Sequence, residues 1–143
     1  MDKSELLVIL LSWASHISSY SYPEIPPDYQ FKSHSFFVEH ACQGNSKCNA
    51  GAWYNDGGVI YIDDRLQDWK DPMVRSVIVH ELIHYLQDLS GKFSQKTCEE
   101  QLAREREAYA MQRIYLNRVA GVFAATFPVY APCPKDTMRK QGN

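Results

Sequence analysis

The sequence predicts an α+β domain, with a few helices and a small antiparallel β-sheet or hairpin. Three observations predict it. Two long segments carry helix-start signals ahead of apolar or amphipathic runs, at Asp71-Pro72 and Thr97-Cys98-Glu99-Glu100. Two β-rich runs, 50–54 and 59–62, flank Asn55-Asp56-Gly57-Gly58, a strong hairpin signal. At 143 residues the chain has the size of one domain, so residues 1–143 are read as a single unit with one core.

The first element is an amphipathic helix. Asp2 serves as N-cap with Glu5 at N3, and Leu6, Leu7, Leu10, Trp13, Ala14 and Ile17 share a face. The apolar run from Leu6 to Leu11 is far short of the ~20 residues needed to span a bilayer. As a signal peptide it has a poor start, because Asp2 and Glu5 offset Lys3, and Trp13 and His16 stand where small residues are wanted. A helix in a mature chain is the expectation. Pro23, Pro26 and Pro27 then mark an extended linker over 20–29. Residues 30–32 read as a short strand, and Ser33 as the cap of a short helix through His40.

The hairpin follows, and Asp71-Pro72 opens a helix running to about Leu89, stopped by Gly91. That helix is apolar around most of its circumference and should be central. A second long helix is expected from Cys98 to about Ala120, ended by Gly121, with a surface-wrapping tail over 122–143 tied by Cys133.

Composition excludes several functions. Apolar residues make up 45% and charged residues 22%, as in a globular protein rather than a disordered one. The net charge of -2 gives no electrostatic case for nucleic acid or an anionic membrane as partner. Cys42, Cys48, Cys98 and Cys133 contain no CxxC pair, so two disulfides in an exported protein fit better than a structural zinc site. Three connectivities are open; Cys42 with Cys48 and Cys98 with Cys133 is the natural one. A periplasmic or secreted location is expected on this ground.

The chemistry is carried by His80-Glu81-Leu82-Ile83-His84, an HExxH motif. On a helix, residues i and i+4 lie one turn apart on one face, so both imidazoles can bind one cation. Glu81 is turned about 100° away, where it can reach a water beside the metal without ligating it. Two histidines and a glutamate in an otherwise apolar helix would be costly to bury without partners, and a metal satisfies all three. A third ligand is required. Gln87 and Ser90 stand where the metzincin pattern has Gly and His, and no His follows His84, so the ligand is a downstream carboxylate.

Glu105 and Glu107 offer it, within Arg104-Glu105-Arg106-Glu107-Ala108-Tyr109-Ala110. They point about 200° apart on a helix, so only one can face the metal. HExxH followed by a helix bearing E-x-E-A resembles the gluzincin-type zinc metallopeptidases, over residues 76–113, and the small size resembles the minigluzincins. The resemblance implies a zincin-like fold. It also implies a Zn2+ ion on His80, His84 and Glu105, with Glu107 as runner-up, and Glu81 as general base in peptide-bond hydrolysis. It further implies that the aromatic hairpin is the rim strand that receives an extended peptide. The family often has Asp or Asn after the Ala to orient a ligand histidine; here Tyr109 stands instead. A peptide or protein substrate and a monomeric chain without a membrane span are expected. The alternative is a catalytically silent, zincin-like metal-binding or interaction module.

Other residues have dual readings. Tyr109 and Tyr130 could stabilise an oxyanion or simply pack. Asp63 and Asp64 could orient a ligand imidazole or serve the turn. Gln87 could line the site or be solvated. Arg104 and Arg106 are expected to pair within their helix, and His16, His34 and His40 to lie on the surface.

Overall fold

The computed structural model describes residues 1–45, 47–123 and 132–134. Helix α1 spans Lys3–Ser18, with the Asp2 carboxylate accepting from Glu5 N at 2.8 Å as expected. Its buried face is Leu7, Leu10, Leu11 and Ala14. Leu11 replaces Trp13 on that face, and Trp13 lies at the surface, edge-on to His16. The continuous apolar run 6–11 left the phase of the helix open by one residue.

Strand β1, Asp28–Lys32, precedes the short helix α2, His34–His40. Ser33 takes the N-cap position of α2, but its hydroxyl pairs with Ser35 Oγ rather than capping. The hairpin forms as expected from β2, Ala52–Tyr54, and β3, Val59–Asp63, with Asp56 and Gly58 at positive φ in the turn. The sheet is mixed rather than antiparallel. Its order is β1-β3-β2, and β1 runs parallel to β3 with Asp28 opposite Val59 and Lys32 opposite Asp63. The cause is α2 with its Cys42–Cys48 loop, which reverses the chain between β1 and β2 before the hairpin reverses it again.

Helix α3, Pro72–Ser90, begins with Asp71 accepting from Met73 N at 2.9 Å and ends at Gly91, whose φ of 72° suits glycine. Helix α4, Cys98–Ile114, starts on Thr97, which accepts from Glu100 N at 3.2 Å. Glu100 turns to Gln95 N instead of completing the reciprocal box. The expected run to Ala120 is helical throughout, but Tyr115–Val119 is a π-helical turn.

α3 is the hub: α1, α4 and β2 all pack on it. Ile78, Val79, Leu82, Ile83 and Leu86 are buried in a core shared with Ile60 and Ile62 of the sheet. Leu89, in the last turn of α3, is exposed. Both expected disulfides are present, Cys42–Cys48 and Cys98–Cys133, and two disulfides suit an oxidising compartment. Most of the expected tail wrap, 124–131 and 135–143, lies outside the described residues. No helix among the described residues is long and apolar enough to cross a membrane.

Candidate metal centre

The i, i+4 spacing on α3 sets His80 and His84 side by side, with Nε2 atoms 3.2 Å apart. α4 crosses them and brings in Glu105. Its Oε1 lies 2.5 Å from His84 Nε2 and its Oε2 lies 3.5 Å from His80 Nε2. These three side chains form a group able to hold a metal ion. The separations test the fit. Tetrahedral bonds of ~2.0–2.1 Å imply ligand atoms about 3.3 Å apart, which the 3.2 and 3.5 Å distances match. The 2.5 Å contact is a charge-assisted hydrogen bond. Two imidazoles and a carboxylate form a donor set of intermediate softness, of the kind that divalent transition-metal ions take.

Electrostatics bind the group together. Burial pushes the Glu105 carboxyl up, but hydrogen bonds from His80 and His84 outweigh it and hold the group well below the usual carboxylate range. Burial likewise pulls His84 down, and the Glu105 hydrogen bond with the nearby Glu81 and Glu105 charges leaves it raised.

Each imidazole is held from behind by a glutamine. Gln112 Oε1 lies 3.0 Å from His80 Nδ1, and Gln112 Nε2 donates to Ser76 Oγ at 3.1 Å. Gln87 Oε1 lies 2.8 Å from His84 Nδ1, and Gln87 Nε2 donates to Arg104 O and Glu107 Oε1, both at 3.0 Å. With Nδ1 as donor on each ring, Nε2 is the atom that faces Glu105, donating to its carboxylate here and open to a metal ion once that proton is displaced.

Glu81 stands apart from the ligand group. One carboxylate oxygen accepts from Tyr54 N of β2 at 3.1 Å, which ties α3 to the edge strand. Between them opens a cavity of about 510 Å³, lined by Ala50–Tyr54 on one wall and by His80, Glu81, His84, Glu105 and Tyr109 on the other.

The remaining sequence candidates sort clearly. Glu107 faces away from the histidines, toward Tyr20, Lys92 and Gln87, and of the two glutamates it is Glu105 that lies beside them. Gln87 is 1% exposed and supports His84 rather than meeting solvent. Tyr109 lines the cavity with its ring edge-to-face on His80, centroids 4.3 Å apart. Arg104 pairs with Asp56 of the hairpin turn at 2.9 Å, not within its helix. The hairpin turn reaches over to it. Asp63 serves the turn: it accepts from Arg65 N, Nε and Nη2 and lies 3.4 Å from His34. Neither Asp63 nor Asp64, nor His16, His34 or His40, lines the cavity. Tyr130 lies outside the described residues.

Sequence reasoning missed Gln112, Ser76 and Tyr54. Two of these had a signal. Gln112 follows Glu105 by seven residues, two helical turns along the same face, and Ser76 precedes His80 by four. Tyr54 had none, since its contribution is a backbone N–H. Compared with protein-family models, curated proteins and solved structures, the chain matches none.

Proposed function

We propose that the protein is a gluzincin-type, zincin-like zinc metallopeptidase, with His80, His84 and Glu105 as ligands and Glu81 as general base. The observation that carries this reading is the division of labour at one end of the cavity. Three donors converge on a point, and a fourth group, Glu81, lies beside them without joining them. Zinc held there would act as a Lewis acid toward a substrate carbonyl and acidify a water molecule. The chain's own residues do the rest. Glu81 takes the proton from water on its carboxylate and returns it to the leaving amine. The hydrogen bond from Tyr54 N aims that carboxylate and leaves its second oxygen for the proton. The β2 edge beside the cavity suits an extended peptide, which would pair with it as an added strand. The two disulfides support an oxidising setting for such a reaction, periplasmic or secreted.

One observation favours the silent, metal-binding alternative: the Glu81 carboxylate already accepts a backbone hydrogen bond. Glu81→Gln separates the readings, because the amide oxygen still accepts from Tyr54 N but takes up no proton. Metal content and cleavage of a peptide library are measured together. Cleavage by wild type that falls at least about 100-fold in Glu81→Gln, with zinc retained, supports the peptidase. One zinc per chain with no cleavage supports the silent module. No zinc uptake refutes both.

A further inference from the structure

We propose that Glu107 is a positioning residue of the metal centre, which fixes the polarity of the Gln87 amide and through it the tautomer of His84. The proposal rests on His80, His84 and Glu105 holding zinc.

The argument is one of donors and acceptors. An ionised carboxylate only accepts hydrogen bonds, as does a backbone carbonyl. Glu107 Oε1 and Arg104 O both lie 3.0 Å from the same end of the Gln87 side chain. That end must therefore be the NH2 group; reversing the amide would set oxygen against oxygen twice. Gln87 Oε1 is then the atom 2.8 Å from His84 Nδ1, so Nδ1 carries a hydrogen and Nε2 is the atom that gives up its proton when a metal binds. Burial leaves no water to substitute for either partner, because Gln87 and His84 are 1% and 4% exposed.

The two imidazoles are supported unequally. The His80 series ends in neutral groups, with Gln112 donating to Ser76 Oγ and the Ser76 hydroxyl donating to Met73 O at 2.7 Å. The His84 series ends in a formal charge. That charge is itself held by the Tyr20 hydroxyl, beyond the end of α1, and by Lys92 Nζ at 2.8 Å, beyond the end of α3. A carboxylate acting through an amide polarises His84 without adding a third carboxylate, after Glu105 and Glu81, next to the metal.

The test uses the full chain, with zinc affinity measured by competition with a chromogenic chelator. The imidazole Nδ1–H resonances of the zinc-loaded protein are followed by ¹H–¹⁵N NMR. In Glu107→Gln the new amide can offer either oxygen or NH2 to Gln87. Zinc affinity is expected to fall about 10-fold, and the His84 Nδ1–H resonance to shift or broaden while that of His80 stays. Gln87→Met, which keeps the side-chain length and Glu107 itself, must reproduce the loss if Glu107→Gln fails to fold. Unchanged affinity and an unchanged His84 resonance in either variant overturn the proposal. Equal disturbance of both histidines overturns it too, since that marks general loosening. Wild type that takes up no zinc removes the metal reading, and the proposal with it.

Discussion

Gln112→Met isolates what the support behind His80 is worth. The substitution keeps side-chain length and approximate volume, so the cavity left is small and the loss is polar. Gln112 is 5% exposed and makes two buried hydrogen bonds, 3.0 Å to His80 Nδ1 and 3.1 Å to Ser76 Oγ. Removing the first strands a buried N–H donor, at about 1–3 kcal/mol. Removing the second costs less, about 0.5–1 kcal/mol, because the Ser76 hydroxyl still donates to Met73 O. The metal-free variant should therefore lose about 1.5–4 kcal/mol. At an unfolding entropy of about 2.1 cal/mol/K per residue, the melting temperature should fall by about 5–13 °C. Zinc affinity should fall by about 10–100-fold as well, since His80 loses the partner that fixes its tautomer. Differential scanning calorimetry of the metal-free protein gives the first number, and chelator competition the second. A variant that melts within about 1 °C of wild type and binds zinc equally would refute the reasoning.

Three further outcomes are expected. Zinc at 100 times its dissociation constant should stabilise the wild type by about 2.7 kcal/mol in a thermal melt, and His84→Ala should abolish that gain. The Asp63 carboxyl is buried, which pushes it up, but hydrogen bonds from Arg65 outweigh this and hold it below its usual value. Its contribution to stability is therefore present above the ordinary carboxylate range and lost as pH falls below it, so Asp63→Asn should flatten the acid limb of stability against pH. The Cys98–Cys133 bridge spans 35 residues and the Cys42–Cys48 bridge 6, so loop entropy assigns them about 4 and about 2 kcal/mol. Denaturation of the two double-serine variants should show Cys98/Cys133 to be the more damaging.

The local part of this structure was legible from sequence. Caps at Asp2, Asp71 and Thr97, the hairpin turn and the stop at Gly91 are all set by groups a few residues apart, and each falls where expected. HExxH is legible for the same reason, because helix geometry alone brings His80 to His84. What depended on tertiary packing was not. The parallel pairing of β1 with β3 follows from a chain reversal through α2 that no periodicity encodes. The sequence left Glu105 and Glu107 as the two candidates for a third ligand, but the rotation of α4 against α3 decides which of them lies beside the histidines. Arg104 was read as an intrahelical partner because the hairpin turn that reaches it is 48 residues away in sequence.

The hydrogen bond from Tyr54 N to Glu81 also bears on solubility. β2 is a sheet edge, and an edge strand with open N–H groups is a template for another chain, in aggregation as much as in substrate binding. This edge is only three residues long, and one of its outward N–H groups is already occupied by a carboxylate. Glu81 therefore acts as a gatekeeper for the strand beside it. Truncating it to alanine removes a charge and opens a donor on the edge at once, so the Glu81→Ala protein is expected to self-associate more readily than one carrying glutamine.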